Sequence, residues 1–164
     1  MTHTLIVMRH AKSSWSTAEP DHRRPLNGRG EKDAVVAGGI LAGYVLDVVL
    51  SSSSTRTRQT WQGAVAGGAR CADVAFTDEL YGAWAGSVIG LVRELPESVG
   101  TTLVLSHEPT VSTLLHGLAE PSELADEAAD HFPTCAMAFL DFDGPWTGLG
   151  SGGARLVRFE IPRG

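Results

Sequence analysis

Thr4-Leu5-Ile6-Val7-Met8-Arg9-His10-Ala11-Lys12-Ser13-Ser14-Trp15 runs from an apolar stretch straight into a cation and an imidazole. The run Thr4–Met8 reads as a strand buried on both faces, as in the parallel sheets of α/β proteins. Such a strand delivers Arg9 and His10 to the sheet edge where open α/β sheets take their ligands. A second Arg and a second His at that edge complete a site able to hold a phosphoryl group and accept it covalently.

Downstream, strands and helices alternate. Residues 11–27 are polar, contain Pro20 and Pro25, and read as a loop. Gly28 to Leu41 reads as a helix and Val45–Leu50 as a strand. Ser51–Ser54 reads as a loop, with Thr55 as the N-cap of a helix to about Val65. A short strand Val74–Phe76, a helix Ser87–Leu95 and a strand Thr102–Leu105 follow. Pro109 stands where a helix to about Leu118 begins. A second acidic helix covers Glu120–Asp130, and Ala136–Phe142 and Arg155–Ile161 are late strands joined by the Gly-rich stretch Gly148–Gly153. This order predicts one three-layer α/β/α domain over residues 1–164, with a mostly parallel central sheet of about six strands.

Bulk composition bounds the function. The chain is 43% hydrophobic and 20% charged, which suits a globular protein with a real core. A formal charge of −6 does not advertise nucleic-acid binding. The charge is uneven: residues 1–58 hold 8 of the 13 Lys and Arg and 5 of the 19 Asp and Glu. A basic N-terminal third within an acidic chain fits a focused anion site, or simply an uneven solvated surface. Eleven of the 13 basic residues are Arg, the better bidentate partner for phosphate. The longest nearly apolar run, Ala34 to Leu46, falls short of the roughly 20 residues that cross a membrane, and no membrane partner is expected. Cys71 and Cys135 lack metal-like spacing and read as reduced thiols of a cytoplasmic protein.

Three predicted strand ends carry chemistry. The first ends in Arg9-His10, the second in Ser51-Ser52-Ser53-Ser54-Thr55-Arg56-Thr57-Arg58-Gln59-Thr60, and the fourth in Ser106-His107-Glu108-Pro109. In a parallel sheet these ends face the same way, and adjacent helix N-termini add positive potential. A neutral imidazole can attack phosphorus and carry the phosphoryl group. Fixed Arg forks stabilise the charge that spreads over the equatorial oxygens, and a second His donates to an oxygen or shuttles a proton. This chemistry needs no metal and no cofactor.

These segments resemble the histidine phosphatase superfamily, which includes the phosphoglycerate mutases and acid phosphatases, and most of all its short bacterial SixA-like phosphohistidine phosphatases. Leu5–Trp15 is similar to the family signature. Asp21-His22-Arg23-Arg24-Pro25-Leu26-Asn27-Gly28-Arg29-Gly30 resembles the Arg-Pro-Leu segment before the first helix, and Ser53–Thr60 resembles the second-strand motif. Leu80-Tyr81, Ser106–Pro109 and Phe132-Pro133-Thr134 follow in the expected order. The resemblance implies a phosphoglycerate mutase-like fold, His10 as nucleophile, and Arg9, Arg56 and His107 around the phosphate. Ala11 stands where the family usually has Gly. Larger members carry an acid after the third strand, for which Glu79 is the nearest candidate. Glu108 is instead placed to orient His107.

Ser13 and Arg24 are further candidates for phosphate binding, with Lys12 behind them, while Trp15, Tyr81 and Trp84 either frame the site mouth or pack. Gly148–Gly153 matches GxGxxG in form but lacks the following helix and acid of a dinucleotide site. The partner is expected to be a phosphorylated protein bearing phosphohistidine. Its leaving group is an imidazole whose conjugate acid has a pKa of about 6.5, so an unclear general acid and the absence of an inserted lid suit it. The alternatives are a small phosphate ester on the same site, a mutase, a phosphate-binding module without turnover, and a His-based metal enzyme.

Overall fold

The computed structural model describes all 164 residues. β1 (Thr2–Arg9), β2 (Val48–Ser52), β3 (Val74–Thr77), β4 (Thr101–Ser106), β5 (Met137–Asp143) and β6 (Arg155–Glu160) form one sheet in the order β3-β2-β4-β1-β5-β6. The pairs β1–β4, β2–β4 and β2–β3 are parallel. β5 runs antiparallel to β1, and β6 antiparallel to β5. The sheet is thus mixed, with a parallel part that carries the N-terminal two thirds of the chain.

The pleat sends alternate residues of β1 to opposite faces. Leu5 and Val7 pack with residues of α3 (Ala85–Arg93), α4 (Thr110–Leu118) and α5 (Glu123–Asp130). Ile6 and Met8 pack with residues of α1 (Gly28–Leu41) and α2 (Thr55–Ala66). Two apolar cores, one on each side of the sheet, give the three layers that the alternation of elements predicts.

The boundaries differ from the sequence reading in instructive places. β2 starts three residues later than expected, because the Asp47 carboxylate accepts from the Gly100 and Thr101 amides at 2.8 and 3.0 Å and closes the preceding turn. Ser51 and Ser52 belong to β2 rather than to a loop. Ser54, not Thr55, caps α2, its Oγ accepting from the Thr57 amide. Ser122 caps α5 in the same way, so that helix begins at Glu123 and not at Glu120. Within the Gly-rich connection region, buried Trp146 anchors a short 3-10 turn (Trp146–Gly148) by donating from Nε1 to the Val99 carbonyl at 2.7 Å.

The loop after β1 is held on three sides. The Ala11 amide donates to Thr60 Oγ of α2 at 3.0 Å, the Ser14 amide to the Pro25 carbonyl at 2.8 Å, and the Asn27 amide to the Lys12 carbonyl at 3.0 Å. Asn27 also caps α1, its Oδ1 accepting from the Gly30 amide at 2.9 Å. Gly30 lies so close to this loop that a Cβ there would stand 2.1 Å from the Lys12 carbonyl oxygen. Backbone meets backbone, so no side chain can give way. Gly30→Ala is expected to displace the loop that follows His10. It should cost about 2 kcal/mol or more of stability, read from urea unfolding of the variant.

Candidate active site

The sheet topology decides which side chains meet. β4 lies between β1 and β2, and the parallel register pairs Arg9 with Ser106. The residues that follow, His10 and His107, therefore leave the sheet side by side, with their ring centroids 5.3 Å apart. The His10 amide donates to the Ser106 carbonyl at 3.1 Å and tightens this junction. On the far side of β4, β2 ends in Ser52, and Arg56 lies in the first turn of α2.

These side chains line a cleft of about 220 Å³. Arg9, His10, Ser13, Arg24, Arg56 and His107, all expected from the sequence, border it, as do Lys12, Trp15, Glu108 and Thr134. Glu79 does not. It is exposed on the 3-10 turn Asp78–Leu80 and lies outside the cleft lining. The carboxylate that lines the cleft is Glu108, and both its oxygens accept from Ser112, Oε1 from the amide at 2.8 Å and Oε2 from the hydroxyl at 2.9 Å. Glu108 thus serves the first turn of α4, and no hydrogen bond joins it to His107.

His10 is almost fully buried. Its Nδ1 lies 2.7 Å from the Ala11 carbonyl, an acceptor, so Nδ1 carries the proton and Nε2 keeps its lone pair. Burial pushes the His10 pKa down to about 3, opposed by the Ala11 carbonyl and reinforced by His107, Arg56 and Arg9. Burial, then Arg56, lowers His107 to about 4. Both rings are neutral at physiological pH. The His107 Nε2 is 2.8 Å from Ser52 Oγ, which itself accepts from the Ser54 amide at 3.3 Å. The Ser52 hydroxyl can donate to Nε2, the tautomer that leaves the His107 proton on Nδ1.

The Asp21 carboxylate organises the guanidinium groups, a role that the sequence reading missed. Arg56 donates to its backbone carbonyl at 2.7 Å and to Oδ2 at 3.1 Å. Arg24 donates to Oδ1 at 3.2 Å, and the Tyr81 hydroxyl to Oδ2 at 2.6 Å. The Tyr81 hydrogen bond, then Arg56, holds the Asp21 carboxyl well below the usual carboxylate range. Arg24 also donates to Ser13 Oγ and lies over the Trp15 ring, 3.9 Å from its centroid. Arg9 donates to the Phe132 carbonyl at 3.0 Å. The one local sign of Asp21 was its position three residues before Arg24, across a 3-10 turn (Asp21–Arg23).

Polar atoms remain over. The Nε–H groups of Arg9, Arg24 and Arg56 and Nδ1 of His107 are buried without a partner. Each unpaired buried donor costs roughly 1–3 kcal/mol, and an anion that accepts from these side chains offsets that cost. A second hollow of about 350 Å³ adjoins the cleft at His107 and Glu108, walled by Ala83, Trp84 and Pro109. No group of three or more His, Cys, Asp or Glu side chains is gathered as a metal site. Cys71 and Cys135 are free thiols.

A cleft of arginines around a buried neutral imidazole is equipped for phosphoryl transfer, and the comparisons with known proteins agree. An uncharacterised protein of Mycobacterium tuberculosis is 40% identical over 162 residues, covering 95% of this chain and all of its own. The structure of a candidate phosphohistidine phosphatase SixA from Nakamurella multipartitia is 33% identical, with a TM-score of 0.88 over 99% of this chain and 97% of that one. A candidate SixA from Agrobacterium tumefaciens is 28% identical, with a TM-score of 0.81 over 98% of each chain. The model of the histidine phosphatase superfamily (branch 1) matches residues 5–99, which hold Arg9 and His10, the Arg56 turn and all of Asp21's partners, and the chain is a hydrolase of that superfamily.

Proposed function

We propose that this phosphatase removes the phosphoryl group from phosphohistidine on other proteins through a covalent intermediate on His10, without a metal ion. The observation that carries the reading is the pairing of a neutral, oriented nucleophile with a cleft whose one carboxyl group, Glu108, is hydrogen-bonded to the start of α4. His10 Nδ1 is committed to the Ala11 carbonyl, and both oxygens of Glu108 are committed to Ser112.

The chemistry follows from that geometry. The Nε2 lone pair of His10 attacks phosphorus, and the bond from phosphorus to the substrate imidazole breaks. The substrate imidazole takes a proton from solvent on its other ring nitrogen at the open cleft, so that it leaves as neutral imidazole when the bond breaks. Water then attacks phosphorus, the bond to Nε2 breaks, inorganic phosphate departs and His10 returns neutral. Arg9 and Arg56 receive the equatorial oxygens, while His107 Nδ1–H donates to one of them. Asp21 touches no reacting atom. It positions Arg56 and Arg24 and keeps their forks aimed.

An alkoxide leaving group needs a proton, and general acid catalysis supplies about 10²–10⁴-fold for that purpose. An imidazole leaving group has a conjugate acid of pKa about 6.5 and departs without it. The apolar hollow beside His107 favours a second reading, a small phosphate ester whose apolar body fills it. Free thiols suit action in the cytoplasm.

A substrate panel decides between these readings. Phosphohistidine in a protein is expected to exceed a simple alkyl phosphate in kcat/KM by 10²-fold or more, with activity retained in EDTA. Wild type quenched during turnover should hold phosphate that is stable to base and labile to acid, absent in His10→Ala. Comparable kcat/KM on both substrates would sink the phosphohistidine reading, and the absence of phosphoenzyme would sink the covalent one.

Asp21→Ala is expected to lower kcat/KM on p-nitrophenyl phosphate about 10²-fold, the scale of a misplaced binding group, with an unchanged circular dichroism spectrum. Activity is expected to stay level from pH 8 to 5 once substrate ionisation is corrected, because His10 titrates near 3 and His107 near 4. Stability behaves otherwise. The unfolded imidazoles bind protons near pH 6.5, above their folded values, so the unfolded state gains protons first. Stability is full above that pH and falls as the pH drops towards 4 and 3. Urea midpoints at pH 7 and 5 should differ less in His10→Ala than in wild type.

A further inference from the structure

Beside the phosphoryl cleft lies an open groove of about 530 Å³. The two share Arg9, Lys12, Glu108 and Thr134, so the groove starts where the phosphoryl group would sit. Away from the cleft it is bordered by Arg29, Arg163 and His131. Neither Arg29 nor Arg163 has a part in the chemistry above. Their side chains are 57% and 34% exposed.

Both lean on one buried carboxylate. Arg29 Nε is 3.7 Å and Arg163 Nη1 is 3.4 Å from Asp33 Oδ2, and the Asp33 side chain is 1% exposed. One anion thus anchors two cations and leaves donors over on each. Arg29 also stands in the first turn of α1, where a cation opposes the helix dipole. A position that helix stability disfavours is occupied by a charge that faces the groove. With Arg9 left to the phosphoryl group, Lys12, Arg29 and Arg163 still outnumber the acids Glu108 and Asp130 on the walls, while Asp33 is buried behind the two arginines. This positive balance stands in a chain whose net charge is −6. A polypeptide whose phosphohistidine enters the cleft continues into a surface that attracts carboxylates.

We infer that this groove, through Arg29 and Arg163, is the docking surface for acidic residues that flank the phosphohistidine of a protein substrate. The inference rests on the proposed function. It makes the phosphatase selective for phosphohistidines set among Asp and Glu.

Three synthetic phosphohistidine peptides, alike except for Glu, Gln or Lys flanks, test it beside free phosphohistidine and p-nitrophenyl phosphate. Wild type is expected to turn over the Glu peptide with a kcat/KM at least 10-fold above the Lys peptide. That ratio should shrink as salt rises, since the Debye length falls from about 10 Å at 0.1 M to about 3 Å at 1 M. Arg29→Glu and Arg163→Gln should each cut the ratio while leaving p-nitrophenyl phosphate and free phosphohistidine unchanged, which also reports that they fold. If Arg29→Glu loses that basal activity, Arg29→Gln takes its place. Equal turnover of the three peptides, or a ratio that survives both substitutions, overturns the inference and leaves the proposed function standing. Failure of wild type on free phosphohistidine and on every peptide overturns both.

Discussion

Guanidinium groups crowded into one cleft repel each other, and the Asp21 carboxylate is the counter-charge that lets Arg24 and Arg56 share it. It reaches across the fold to do so. Arg56 comes from the helix after β2, Tyr81 from the segment after β3, and Asp21 itself from the long loop before α1. The carboxyl keeps its charge because the Tyr81 hydroxyl and the Arg56 fork both favour the anion. Asp21 is half exposed, and its worth lies less in raw stability than in aim. Arg24 and Arg56 side chains that are 10% and 7% exposed have few rotamers left once one carboxylate holds both.

The sheet supplies the other half of the arrangement. With β4 inserted between β1 and β2, the two imidazoles and the Arg56 helix leave adjacent strands in the same direction. The antiparallel β5 on the opposite side of β1 brings a different segment to the same edge. Its approach places the Phe132 carbonyl on Arg9, and the Cys135 amide donates to the His10 carbonyl at 2.9 Å. His10 is therefore gripped through its own backbone from both neighbours, Ser106 of β4 and Cys135 before β5. An imidazole fixed this way would lose little freedom in attacking a substrate.

Much of this was legible in the sequence because it is local. An apolar run ending in Arg9-His10, a serine-rich run ending in Arg56, and Ser106-His107 after a strand are patterns within about ten residues, and a parallel sheet brings such ends together without further information. What escaped the sequence depends on contacts over distance. Asp21 meets Arg56 at a separation of 35 residues and Tyr81 at 60. Glu79 was credible by position alone, but the 3-10 turn that carries it leaves its side chain outside the cleft lining. Glu108 stands beside His107 in sequence yet bonds to Ser112, a preference set by the start of α4. Ser54 displaced Thr55 as a cap because β2 runs two residues beyond its apolar stretch, carrying buried serines where composition suggested a loop.

With His10 as the proposed nucleophile, the features that equip it also narrow what it can attack. Burial and the surrounding cations hold both imidazoles unprotonated in the free site. The cleft carboxylate is engaged by a helix terminus, and the candidate acid stands outside. Every proton that a leaving group requires must then come from solvent or from the leaving group's own environment. For an alkoxide that is a late and costly step. For an imidazole it is a small obstacle, because a ring of pKa about 6.5 takes its proton from water near neutral pH. Seen this way, the open cleft is part of the selectivity. On the proposed function, water supplies the proton that the chain withholds, and a protein surface that carries phosphohistidine keeps room to approach.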